Sequence, residues 1–461
     1  MTGLGPDART IAKALQGAFA AIPDEVLMSA RLHLLDALAV GVVAARRGPV
    51  RGVTTMASSG GSGSCSVLGS PLITTAPMAA LINGSLIHSL EFDDTHVPSV
   101  MHGSSVLAPS AWAAAQEAGA SGDRMLRGFT LGWEFLIRIG LASPGRIQAR
   151  GFQITSAAGS FAAAAVSALV RGDDAEVLAN AVGIAGSQAG GTFAFLADGD
   201  TVKAVQPGWA AHSGLLAGEL ARAGVSGPQH VFGGRYGFYA LYAGDADAAD
   251  RLEIEVADLG SRWHLPEAAY KLLPCCHYIH PYVEALTSLL REVRAEEVRG
   301  IHCFVPDGAA PVIAEPWEKR QHPAKAHDAR WSLPYVLAMV LADGRVSAGA
   351  FEGSSDEMIM QLADRMDFSV WKDSGFPERF PARMSVALAD GTVRELTLED
   401  VKGGRTRPIS ATDVIDKARA NLAEAGVHDA DAAALVREIV DAVDPDPHEI
   451  GRLLGRSLSR A

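Results

Sequence analysis

Residues 83–105, NGSLIHSLEFDDTHVPSVMHGSS, gather Glu91, Asp93 and Asp94 with His88, His96 and His102 in one short stretch. A histidine beside carboxylates has its proton affinity set near neutrality, which suits proton transfer. His102 is the candidate acid/base. Glu91 or Asp93 would orient it, and Thr95 and His96 would contact a substrate. Gly84, His88, Glu91 and Thr95 fall on one helix face if the preceding apolar helix runs that far. The blander alternative is a helix end followed by a solvated polar loop.

Three further positions bear chemistry. Lys203 stands alone in GGTFAFLADGDTVKAVQPGWAAHSG, in an expected loop between two nearly uncharged helices. A compact ammonium there suits a carboxylate or an enolate. Lys271 opens KLLPCCHYIH. Cys275, Cys276, His277 and His280 fit no closed zinc set, so no metal is expected. Lys271 then reads as an anion anchor, with His277 and His280 as candidate walls of the site. Arg150-Gly-Phe-Gln153-Ile-Thr155-Ser156 opens an Ala-rich helix whose first N–H groups suit an anion. Gln153 and Thr155 are candidate contacts there, structural capping being the competing reading.

The rest of the chain must position these groups. Its 461 residues suffice for two or three domains and a large core. Net charge is 40 − 53 = −13 with no basic stripe, which argues against a nucleic-acid partner. Charged residues are only 20%, so part of the surface is expected to be covered by a second subunit. Four cysteines exclude a disulfide scaffold. The opening MTGLGPDARTIAKALQG has no apolar signal region, and a reducing cytoplasm is the simplest expectation. The least charged stretches, 151–170 and 180–197, read as buried helices and not membrane spans. No P-loop, H-E-x-x-H, G-x-S-x-G or dinucleotide fingerprint occurs, so no cofactor is expected.

Helical periodicity covers 23–45, 75–91, 104–119, 122–142, 155–171, 174–188 and 205–224, the last with Pro207 in its first turn. Strand signals are confined to 298–305 and to 384–398, a hairpin about Asp390-Gly391 expected as a type I′ turn. Helices at 281–294 and 331–343 lie between. After VKGGRTRPIS the chain is helical again, at 411–425 and 429–443.

Eight strings carry a resemblance in register: NGSLIHSLEFDDTH with MHGSS, LGWEFLIRIG, RGFQITSAAGSF, ADGDTVKAVQPGWAAHSGLLA, GPQHVFGGRYGF, KLLPCCHYIH, ARWSLPYVLAMVLADG and VKGGRTRPIS. With them the sequence resembles the MmgE/PrpD family, which includes 2-methylcitrate dehydratase, cis-aconitate decarboxylase and iminodisuccinate epimerase. The resemblance implies a mainly α fold. A large all-helical domain would be built from both chain ends, 1–265 and 405–461, with a smaller α+β lid at 266–404. It also implies a homodimer and a cofactor-free site between the domains. The family's acid, threonine, loop histidine and two lysines fall on Glu91, Thr95, His102, Lys203 and Lys271. Three positions depart: Gln153 replaces a frequent histidine, His102-Gly103-Ser104 replaces His-Pro-Ser, and Glu91 replaces Asp. The implied activity is a cofactor-independent lyase, a dehydratase or decarboxylase. It would act on a small di- or tricarboxylic acid of the 2-methylcitrate or cis-aconitate type. An epimerase of a small dicarboxylate, and a non-catalytic binding protein retaining the fold, are the alternatives.

Overall fold

Polar caps followed by alanine- and leucine-rich runs set the helix starts. In the computed structural model, which describes residues 3–196, 199–352 and 356–456, α1 (Ala8–Ala18) begins where Asp7 accepts the Thr10 amide at 2.6 Å. α2 (Asp24–Arg47) has Asp24 and Glu25 in its first turn and Arg46 and Arg47 in its last, the signs that the helix dipole favours. There follow α3 (Ala76–His88), α4 (Ser104–Ala118), α5 (Gly122–Leu141), α6 (Ile154–Arg171), α7 (Ala175–Ala185), α8 (Val202–Arg222) and α9 (Ala248–Ala257). By length and composition α2 and α6 are apolar enough to cross a membrane, but 78% and 94% of their apolar windows are buried inside the protein. They are core helices.

The chain divides into two compact units. One comprises residues 1–89, 93–270 and 410–461; the other comprises 90–92 and 271–409. In the first, the tail helix α12 (Ala411–Glu424) packs on α2. There Lys417 Nζ lies 2.9 Å from Asp36 Oδ2, both side chains being buried. Burial pulls the lysine's pKa down and pushes the aspartate's up, so desolvation opposes the pair's own attraction. Among its described residues the only strands are a two-residue antiparallel pair, β1 (Cys65–Ser66) with β2 (Ile73–Thr74).

Small residues set both the spacing and the direction of its central helices. A β-carbon on Gly208 of α8 would lie 2.2 Å from the Leu81 carbonyl of α3, so these backbones touch. Along α6 and α8 the contacts ascend together: Ser156 with Gln206, Gly159 with Ala210, Ala163 with Gly214, Ser167 with Gly218. Along α4 and α6 they ascend likewise, the His102 amide with Thr155 and Val106 with Gly159. Three neighbouring helices therefore run parallel and begin at the same end.

In the second unit β3 (Val298–Pro306), β4 (Met366–Trp371), β5 (Ala382–Leu388) and β6 (Val393–Leu398) form one sheet in the order β4-β3-β5-β6. The β3–β4 pair is parallel and the others are antiparallel. α10 (His280–Leu289) and α11 (Leu333–Asp343) cover it, and Ile301, Cys303, Val305, Met384 and Val386 share a core with Val336 and Val340.

Four local expectations change. The 75–91 helix stops at His88, so Glu91 and Thr95 do not continue its face; Glu91 adopts φ +54°, which no α-helix accepts. The last long helix of the first half starts at Val202, three residues before the expected 205, which puts Pro207 inside it. The hairpin turn is not type I′. Gly391 has φ +86° but Asp390 does not share a positive φ, and the Gly391 amide closes on the Leu388 carbonyl at 3.1 Å. That is the three-residue loop in which glycine forms a bulge. β4 is an added element; its sequence, MDFSVW, alternates apolar and polar residues over 366–370, and Asp367 pairs with His302 at 2.7 Å on the neighbouring strand.

Candidate active site

The loop between α3 and α4 carries the cluster around His102. His102 Nδ1 lies 3.0 Å from the Asp94 carbonyl oxygen and 3.0 Å from Thr95 Oγ1. A carbonyl only accepts, so Nδ1 carries the proton and Nε2 presents its lone pair when the ring is neutral. The backbone amide of His102 donates to Thr155 Oγ1 at 3.1 Å, tying the loop to the start of α6. Thr95 is fixed in turn by a two-way backbone pairing with Ala269, at 2.9 and 2.7 Å.

Asp94 is the centre of this arrangement. Its carboxylate accepts from His33 Nδ1 at 2.7 Å, from Ser104 Oγ at 2.5 Å and from the Ser104 amide at 3.2 Å. His33, on α2, stacks on Tyr270 at 4.2 Å, and Trp133 Nε1 donates to Ser104 at 3.2 Å. Its carboxylate is thus held from three sides while its carbonyl orients His102. Asp93 bonds His88 Nδ1 at 2.8 Å, and the His88 ring lies 5.1 Å from that of His102. His96 Nδ1 bonds Ser99 Oγ at 2.7 Å. Glu91 and Val100 flank this segment, each at φ +54°; such strain persists only where the surroundings over-determine the backbone.

His102 precedes α4, Gln153 and Thr155 open α6, and Lys203 is in the first turn of α8, not in a loop. Their helices start at the same end, so three positive helix ends are set there, with the largely buried Lys203 in the first turn of one of them. Like signs gathered in this way favour an anionic ligand. Gln153 caps α6, its Oε1 accepting the Ser156 amide at 2.7 Å. Its amide nitrogen remains as a donor, and the side chain does not titrate.

The second unit carries its own buried charges. Lys271 Nζ lies 3.4 Å from Glu91 Oε2, and both side chains are buried. Arg330, 2% exposed, donates to the Leu90 carbonyl at 3.1 Å and to the Pro274 carbonyl at 2.6 Å, so it clamps the two short segments that carry this ion pair. His277 and His280 are buried edge to face at 4.8 Å, and His280 Nε2 lies 3.3 Å from the Cys275 carbonyl. Burial pushes the Cys275 thiol far up, so it is an inert thiol and not a nucleophile.

Sequence reasoning placed Asp94 and His88 in the cluster without giving them roles, and it did not single out His33, Ser104, Trp133 or Arg330. Periodicity hides His33 and Trp133 among apolar helix positions. Arg330 did carry a signal, a cation opening the apolar run ARWSLPYV.

Gly103 also acquires a reason. A β-carbon there would lie 2.6 Å from three ring carbons of Trp133, which is fully buried. The indole fills the space that a proline would take between His102 and Ser104. Gly103→Ala is therefore expected to cost about 1–3 kcal/mol of stability by overpacking. It should also reduce turnover by displacing His102, seen as a lower melting temperature and a lower kcat in the same preparation.

Residues 9–250 match the MmgE/PrpD N-terminal domain and residues 273–444 the MmgE/PrpD C-terminal domain. A cis-aconitate decarboxylase-like protein, oryM, of Aspergillus oryzae is 30% identical over 91% of this chain and 93% of its own. The cis-aconitate decarboxylase of Aspergillus terreus is 29% identical over 73% of this chain and 72% of its own. That of Homo sapiens is 26% identical over 87% and 85%.

Proposed function

The chain belongs to the MmgE/PrpD family, and from that premise we propose that it is a cofactor-independent lyase that removes CO2 or water from a small di- or tricarboxylate. Its membership of the lyases rests on the decarboxylase relatives. The observation that carries the chemistry is the tautomer of His102: with Nδ1–H held by Asp94 and Thr95, Nε2 is the atom that exchanges a proton with substrate. In the decarboxylating direction the bond to the departing carboxylate breaks, and its electron pair passes into the conjugated acid that remains. Protonated His102 then delivers its Nε2 proton to carbon and returns to the neutral Nδ1–H form. Lys203 and Lys271 would hold the carboxylates on which charge builds.

Gln153 favours elimination over epimerisation. Inverting a stereocentre takes two opposed proton donors, and this position supplies a helix cap in place of a second titrating ring. The decisive experiment incubates the protein with cis-aconitate, methylcitrate, citrate and iminodisuccinate in D2O and follows products by NMR. Loss of CO2 with one deuteron placed next to a carboxylate, or loss of water with the hydrogen next to a carboxylate released to solvent, is the expected result. Deuterium exchange with inversion and no elimination would make it an epimerase, and no exchange on any of these acids would defeat the reading.

The same reading includes a homodimer. Leu196, Val202 and Trp209, on the stretch that carries Lys203, are each more than half exposed, as are Tyr236 and Leu241. An obligate interface resembles a core cut in two, and apolar side chains of this size are its material. Light scattering at micromolar concentration is expected to return twice the 48.2 kDa chain mass; a single-chain mass would remove the dimer from the proposal.

A further inference from the structure

Beside the loop that ends in His102 lies a cluster that the proton-transfer chemistry does not use. One ligand atom each from His96, His264 and Glu267 falls within 4.8 Å of the others. His264 is 2% exposed and, among the described residues, its Nε2 has no hydrogen-bond partner, a costly state for a buried ring nitrogen.

The surroundings hold the ligands in place from outside. His96 Nδ1 is bonded to Ser99 Oγ, which turns Nε2 into the ligand position, as partners of metal-bound histidines do. The backbone amides of His264 and Leu265 both donate to Glu134 Oε1 at 2.8 Å. Glu134 in turn pairs with buried Arg138, which also bonds Asp258 and the Arg262 carbonyl. Arg138 is thus charge-compensated by two carboxylates, and its repulsion of a cation at His264 is reduced. Glu267 is only half buried, which gives an ion a path in from solvent.

We propose that His96, His264 and Glu267 form a binding site for a divalent zinc-class ion, held by two imidazoles and one carboxylate with a position left for water. Two nitrogens and a carboxylate oxygen suit Zn2+, Co2+ or Ni2+ better than Mg2+ or Ca2+. With metal–ligand bonds of about 2.0–2.2 Å the donors come within about 3.4 Å of one another, so the side chains close by roughly 1 Å on binding. The ion's place in the fold defines its role. His96 pairs with Met101, next to His102, through two backbone bonds of 2.8 and 3.2 Å. His264 and Glu267 sit just before Ala269, the partner of Thr95. The ion would staple the loop that presents His102 to the segment that fixes Thr95. It positions the site and takes no part in the proton transfer.

The test uses the full chain, dialysed against chelator and then titrated with zinc sulfate or cobalt(II) chloride. One equivalent of zinc is expected to bind with micromolar or tighter affinity and to raise the melting temperature. Cobalt should give visible absorption bands of a low-coordinate site. Glu267→Gln, conservative and half exposed, should weaken zinc binding about 100-fold or more and abolish the thermal shift. His264→Gln should do the same. Affinity weaker than about 100 µM in the wild type would overturn the site. So would undiminished binding in Glu267→Gln, which would move the ion to the exposed His302–Asp367 or His322–Asp364 pairs. Because the readout is metal binding, failure here leaves the lyase reading standing, and failure of the NMR experiment leaves this one.

Discussion

His102→Gln is expected to lower kcat by about 10²–10⁴-fold, the usual contribution of a positioned acid/base, while binding of a non-reacting tricarboxylate stays near wild type. Glutamine fills much of the imidazole's volume and keeps a donor near the Asp94 carbonyl and Thr95 Oγ1, so the loop is retained. The proton-transferring nitrogen is what disappears. The charges proposed to bind the anion, Lys203 among them, are untouched, so the loss falls on kcat and not on affinity. The pH profile of kcat should also lose the limb that belongs to an imidazole. Wild-type turnover in this variant would remove His102 from the chemistry. Loss of binding in proportion to turnover would make it a substrate contact.

The candidate site residues were legible to different depths. Residues 83–105 announce themselves by type, because three acids and three histidines beside an apolar helix have few structural uses. Their roles did not follow from type. Which acid orients His102 depends on where the helix stops; its end at His88 and the φ of +54° at Glu91 turn the following residues, so that the orienting group is the Asp94 carbonyl. A backbone oxygen leaves no trace in a side-chain pattern. The start of α8 was misplaced because Pro207 reads as a first-turn residue, yet Val202 and Lys203 continue the helix before it. The convergence of three helix starts is a property of packing direction, set by glycine and alanine contacts such as Gly159 with Ala210, and no single helix reveals it. Hairpin β5–β6 was readable because its pairing is local and marked by a turn, whereas β4 is short and parallel to a strand some sixty residues earlier, with no turn signal to announce it.

Lys271→Met should be the most destabilising change at the site. It leaves the Glu91 carboxylate buried without the ammonium that lies 3.4 Å away. Breaking a buried pair by removing one partner typically costs about 3–5 kcal/mol, since the remaining charge still bears its desolvation penalty. That corresponds to a fall on the order of 10 °C in the melting transition. Glu91→Gln combined with Lys271→Met removes both charges and leaves side chains of similar length. Stability should return most of the way, because replacing a buried pair by uncharged groups is often neutral. Turnover should not return. If Lys271 meets a carboxylate on which charge builds, its loss costs about 10²–10³-fold in rate whatever Glu91 has become. A structural pair alone would give a double variant that regains both stability and activity. Arg330→Ala separates the two contributions further, since it frees the Leu90 and Pro274 carbonyls without touching either charge. It is expected to lower stability and kcat together, through the position of Glu91 and Lys271. An unchanged kcat in that variant would show that the clamp on these two segments is not what places the lysine.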